Sequence, residues 1–276
     1  MQLSLSVRIV EAPSKTRLLL PFENFLEVAA GNGYGAICMR ASAGGVQTSP
    51  QQLEQMKQQI DAAGLVVSMV TADFDVPLNN ASGPDSLRDI GPSLDVASIL
   101  GSDLVRICMK QDADIPLARD AADRAAERGI RLVHQCHTSS IFEQVEGILK
   151  VVAEIDRSNF GIVYEPANLM LCGQSYEQET LERLAPCLMN VYVQNHQLDD
   201  QGPESLPTFC RGDVHFHHLP LWEAGGVDFA GVFSGLSAIG YDGYFTIHQA
   251  EGIETVEDAH RFAAQMARFF HDSLAS

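Results

Sequence analysis

Four apolar, β-branched runs between residues 130 and 249 each end in a residue able to bind a cation or handle protons. IRLVHQC (130–136) carries Gln135, FGIVYEP (160–166) Glu165, NVYVQNH (190–196) Gln194, and GYFTIHQ (243–249) His248. Side chains on a strand alternate, so each run offers only every second residue to one face. With Gln135 inward, Val133 and Arg131 also face inward and His134 turns away. Val163 then shares a face with Glu165, Tyr192 and His196 with Gln194, and Thr246 with His248. A carboxylate, an imidazole and two amides converging on one point could ligate a divalent cation or move a proton beside a carbonyl. Each residue alone could equally cap a strand or bond a loop. Their succession over four consecutive runs points to a site.

Such a site needs a scaffold, and the same pattern continues upstream. LSLSVRI (3–9), GAICMRA (35–41), LVVSMVT (65–71) and DLVRICM (103–109) bring the strand candidates to eight, separated by segments with helical apolar spacing. Several of these segments start at Ser or Pro and stop at Gly. Strand-plus-helix units recurring at roughly 30 residues predict an α/β fold, a (β/α)8 TIM barrel, as one domain over 1–276 with its chemistry at the strands' C-terminal ends. An open, doubly wound sheet is the main competitor. Its one candidate fingerprint, GNGYGA (31–36), follows a helix and precedes a strand, the reverse of a dinucleotide loop.

Composition narrows the partners. Eighteen Lys and Arg against 36 Asp and Glu give a net charge of −18, which repels phosphate backbones and argues against nucleic acid. No apolar run approaches the ~18 residues of a membrane span, and the first residues lack a signal-peptide pattern, so a cytoplasmic protein with no membrane partner is expected. The six cysteines are dispersed without a CxxC pair, which predicts reduced, buried thiols and neither disulfides nor a cysteine zinc site. One connection, 197–228, is unusually long and carries HFHH (215–218) together with Arg211 and Trp222. Long loops in compact domains are often functional or mobile. Arg211 could grip a carboxylate or phosphate through paired donors. His215, His217 and His218 make a weak metal signal, and Trp222 either walls a pocket or packs the loop. Lys110 follows the fourth strand, where a Schiff-base role competes with that of a surface lysine. Arg106 reads as part of a polar network inside the barrel.

GYGAICMRA, GSDLVRICMK, AERGIRLVHQCH, SNFGIVYEPANL, PLWEAGGVDF and GYDGYFTIHQ carry a resemblance through most of the chain. In residue type, order and spacing they are similar to the xylose isomerase-like TIM barrels. That superfamily of sugar isomerases and epimerases also includes hydroxypyruvate isomerase, inosose and dehydroshikimate dehydratases, and endonuclease IV. The resemblance implies a small sugar or keto-acid substrate, proton transfer next to a carbonyl, and a homo-oligomer. It also implies one divalent metal (Mn, Mg, Zn or Co), held by Glu, Asp, His and Glu at the ends of strands five to eight. Those positions are Gln135, Glu165, Gln194 and His248 here, so only one carboxylate remains and a metal is less firmly implied. His137 falls where the family often has a histidine and Asn168 where another often stands. Both are expected to bind substrate, as is His196, unless Asn168 caps the next helix. Gln135 cannot exchange protons, so His248 as a single general base fits better than two-base epimerisation. A dehydratase and a non-catalytic sugar-binding barrel remain as alternatives. DNA repair of the endonuclease IV kind fails on the acidic charge and the missing carboxylates.

Overall fold

The computed structural model describes residues 1–72, 82–249 and 253–275. Every expected run forms a strand: β1 (Gln2–Ser6), β2 (Ala36–Met39), β3 (Val66–Thr71), β4 (Leu104–Ile107), β5 (Arg131–Gln135), β6 (Phe160–Tyr164), β7 (Leu188–Val193) and, last in sequence, β11 (Tyr244–Ile247). All pair in parallel and close into a barrel in the order β1-β11-β7-β6-β5-β4-β3-β2. The closing seam is β1, whose Leu5 pairs with Ile247 on one side and Ile37 on the other.

The strands read as continuous apolar runs because both faces are buried. Cys38, Met69, Leu104, Val133, Val163 and Tyr192 cluster inside the barrel. Ile37, Val105, Leu132, Ile162, Val191 and Phe245 belong to the larger core. Around the barrel run α1 (Phe22–Gly31), α2 (Pro50–Ala62), α3 (Asp85–Arg88), α4 (Gly91–Leu100), α5 (Ile115–Ala126), α6 (Val145–Ile155), α7 (Pro166–Leu171), α8 (Gln178–Leu184), α9 (Phe229–Ala238) and α10 (Val256–Leu274). Their ends follow local chemistry. Ser49 and Gln52 form a reciprocal capping box at the start of α2, with Pro50 at its first position. Gly101, at φ +73°, closes α4 in the left-handed region. Inside β6, Gly161 permits a close approach, since a Cβ there would lie 2.3 Å from the Cys187 carbonyl oxygen.

The long connection differs from expectation. Much of it is an antiparallel sheet of β8 (His196–Leu198), β9 (Glu204–Thr208) and β10 (Gly212–His218), in the order β8-β10-β9. The carboxylate of Glu143 pins its tip: Oε1 accepts from the Phe209 N–H at 2.7 Å and Oε2 from the Cys210 N–H at 2.9 Å. Oε1 also accepts from the Ser139 N–H at 2.5 Å, so one side chain ties the tip to the loop after β5.

Candidate active site

Strand alternation delivers Gln135, Glu165, Gln194 and His248 to the C-terminal end of the barrel. Glu165 is fully buried there. Gln135 Nε2 donates to one of its oxygens and Gln194 Nε2 to the other. Asn168, in the first turn of α7, adds a 2.8 Å hydrogen bond to Glu165 Oε2 and a 2.9 Å bond to the Cys136 carbonyl. Pro166 starts α7 directly after Glu165, which sets Asn168 three residues along, within reach of the carboxylate. Burial pushes the Glu165 carboxyl up to about 7, against the opposing pull of Gln194, Gln135 and Arg106.

His248 stacks on Tyr192 with ring centroids 4.1 Å apart, and its Nδ1 lies 3.1 Å from Ser6 Oγ. Its pKa falls well below the ordinary value through burial and then through Arg40, Arg8, Arg106 and Lys15. At neutral pH it is therefore an uncharged imidazole, and its lowered pKa makes it a weaker base than an exposed histidine.

Gln135, Asn168, Gln194 and His248 line a cavity of about 280 Å³ together with Arg8, Lys15, Arg40, Arg106 and the antiparallel sheet; Glu165 reaches it through the amides bonded to its carboxylate. The sheet forms the roof, contributing Glu204, Ser205, Leu206, Phe216 and His218. His137 and His196, expected from the sequence to bind substrate, both line the cavity. His196 packs against both Phe216 and His218, at 4.5 and 4.8 Å between centroids. Burial first, and the neighbouring His218 second, depress its pKa to about 3. His134 faces outward and stacks on Phe142 at 4.0 Å. Glu11 sits behind the cationic wall, 2.8 Å from Arg40 Nε and 3.6 Å from Arg8 Nη1.

Other residues lie elsewhere. Arg211 donates from Nη1 to the Leu171 carbonyl at 3.1 Å and lines a separate surface depression with Asp199 and Asp213. Lys110 Nζ donates to the Ser139 carbonyl at 2.7 Å, and Trp222 lies with Phe262 and Ile253 in another depression. Strand alternation in β10 splits HFHH: His218 and Phe216 line the cavity, whereas His217 meets Asp199 at 2.8 Å. Arg8, Lys15 and Arg40 escaped sequence reasoning, which followed only strands four to eight to their ends. Arg40 could have been found, standing two residues after the inward Cys38.

The family model for the xylose isomerase-like TIM barrel matches residues 26–267. The chain belongs to this family. Among solved structures, this family member is similar to the xylose isomerase domain protein from Planctomyces limnophilus, at 16% identity and TM-score 0.73 over 98% of this chain and 95% of that one. It is also similar to the probable 3-DHS dehydratase AsbF from Bacillus anthracis, at 14% identity and TM-score 0.73 over 98% and 99%. An inosose dehydratase of Geobacillus thermodenitrificans (strain NG80-2) is 22% identical over 153 residues, 55% of this chain and 50% of that protein. The chain thus spans about half the length of that curated relative.

The metal implied by the family pattern does not fit these strand ends. The two glutamines at ligand positions turn amide N–H groups onto Glu165, so beside the carboxylate they present donors and not the oxygen ligands a cation needs. Four cationic side chains line the same cavity, an environment that repels a divalent cation. A cluster capable of coordinating a divalent metal stands elsewhere: Glu143, Cys172 and Cys210 hold their ligand atoms within 4.8 Å of one another. Its two thiols suit zinc better than magnesium. This corrects the expectation of no cysteine metal site, because thiols 38 residues apart in sequence meet where the sheet tip docks. Five of the six cysteines are buried, and Cys210 is exposed. Among the described residues, no helix is long and apolar enough to cross a membrane.

Proposed function

We propose that this barrel is an isomerase- or epimerase-type enzyme that moves a proton next to the carbonyl of a small sugar or keto acid. One observation carries the reading: a fully buried carboxyl group with a pKa of about 7 stands at the mouth of a barrel of this family. Such a group can take a proton from carbon and return it near neutral pH. Gln135, Gln194 and Asn168 fix its orientation. His248, uncharged, is suited to hydrogen-bond a carbonyl oxygen as negative charge develops there, and His137 and His196 contact the substrate. Glu165 therefore takes the base role first considered for His248. With a single base the proton is taken from one carbon and returned to the same face of the neighbouring carbon, which isomerises the substrate; inverting a centre requires a second proton donor on the opposite face.

A second reading shares this first step. A single base that removes a proton beside a carbonyl can expel a hydroxyl group from the next carbon. The curated relative's description as an inosose dehydratase supports a dehydration of this kind. Solvent deuterium exchange, followed by proton NMR over a panel of keto sugars and keto acids, tests both readings. Exchange at the carbon beside the carbonyl that disappears in Glu165→Gln is the expected result. An unsaturated product identifies a dehydration. Exchange undiminished in Glu165→Gln, or absent from every keto compound, refutes the proposal.

A further inference from the structure

The 280 Å³ cavity falls just below the roughly 300–1,000 Å³ of drug-sized small-molecule sites. Its charge is unlike that of the molecule around it. The chain holds twice as many acidic as basic residues, 36 against 18. Among the described residues, however, the cavity lining holds four basic side chains, Arg8, Lys15, Arg40 and Arg106, and one carboxylate, Glu204. The four come from different parts of the fold. Arg106 lies on β4, Arg40 directly follows β2, and Arg8 and Lys15 belong to the segment after β1. Lys15 is held at φ +57°. Its pKa is lowered to about 8, by burial first, with Arg8 and Arg40 adding to the shift, Glu11 opposing it and Arg106 adding again, so the single carboxylate of Glu11 behind Arg8 and Arg40 offsets only part of the four charges. Cations packed closely enough to disfavour one another's charge are stabilised by an anion set among them.

We propose that the cavity selects a substrate bearing a carboxylate or a phosphate, gripped by Arg8, Lys15, Arg40 and Arg106, with these side chains supplying the positive charge in place of a metal ion. The proposal rests on the reading of this cavity as the substrate site. It narrows the substrate class from sugars and keto acids at large to their anionic members. An arginine pair also offers planar, paired donors that match both carboxylate and phosphate.

The test uses the full chain dialysed against EDTA. Titration calorimetry compares D-fructose with D-fructose 6-phosphate and 2-keto-D-gluconate, with inorganic phosphate as competitor. At least one charged compound is expected to bind about tenfold or more tightly than D-fructose, with phosphate displacing it. The charged compound that prevails identifies phosphate or carboxylate as the group recognised. Arg40 and Arg106 are each only 2% exposed, so the test substitutes the more exposed pair, Arg8→Gln with Lys15→Gln. That double variant is expected to lose most of the preference while its circular dichroism spectrum stays unchanged. Equal binding of D-fructose and both charged compounds, no binding of any anion, or a full preference retained by the double variant would each overturn the proposal. Deuterium exchange separates the two readings. Anion preference without exchange leaves the charge assignment standing and removes the enzymatic one, and exchange on neutral fructose without anion preference does the reverse.

Discussion

Glu165→Gln should change the pH dependence of folding stability as well as activity. The Glu165 carboxyl has a pKa of about 7 in the folded protein against an ordinary 4.5. Between those values the folded state binds a proton that the unfolded state has released. Stability from this group is therefore fully present below 4.5 and is lost as pH rises through 7. Applying 1.36 kcal/mol per unit to the shift gives a loss of about 3 kcal/mol over the whole range, and about 2.5 kcal/mol between pH 5 and pH 8. Glutamine cannot ionise, so the variant lacks this term. It carries a pH-independent penalty instead, because its own amide N–H meets donors from Gln135, Gln194 and Asn168, at a cost of about 1–3 kcal/mol. Urea melts followed by circular dichroism at pH 5 and pH 8 measure both quantities. The variant should gain about 2.5 kcal/mol on the wild type between the two pH values. A constant difference would show that Glu165 ionises as an ordinary carboxylate, and the argument for a neutral-pH base would fail. In the wild type, kcat/KM for the exchanging substrate should fall about tenfold per unit below pH 7.

Two further outcomes follow from the fold. His196 is 1% exposed with a pKa of about 3, so it stabilises the protein above its ordinary 6.5 and withdraws that stability as pH falls. Between pH 7 and pH 5 the loss is about 2 kcal/mol, and His196→Asn should flatten that limb of a urea-melt series. Gly161→Ala sets a methyl group against the Cys187 carbonyl oxygen and should destabilise the barrel by about 1–3 kcal/mol, read as a lower thermal midpoint. An unchanged midpoint would mean that β6 and β7 can separate locally without loss.

The barrel was legible because parallel strands buried on both faces leave strong apolar runs, and alternation alone placed Gln135, Glu165, Gln194 and His248 together. Less legible was what these residues do to one another. A glutamine at a ligand position looks like a weakened ligand in sequence, but only geometry shows its amide turned onto Glu165. The cationic wall was harder still, because Lys15 lies outside regular strands and Arg8, inside the run read as the first strand, falls in a 3-10 turn over Val7–Val10 where strand alternation no longer assigns a direction. Strands β9 and β10 were hidden by the Gly, Pro and Asp residues around them, which resemble an irregular loop. The alternation in DVHFHH was their one visible signal.

The attachment of the roof through Glu143 has a consequence for timing. Two backbone N–H groups of the tip, Phe209 and Cys210, converge on that one carboxylate, which a third, from Ser139, fixes within the loop after β5, so both tip contacts are made or lost together. Hydrogen bonds to a charged group contribute about 1.5–3 kcal/mol each, which makes such detachment rare and brief. If ligands pass beneath the roof, its detachment rate limits how fast they come and go, whatever their affinity for the cavity. One oxygen of the carboxylate that secures the tip also lies within 4.8 Å of the Cys172 and Cys210 sulfurs. An ion captured there would draw on the same lone pairs, so occupancy of that cluster and closure of the roof would shift each other's equilibria by equal and reciprocal amounts.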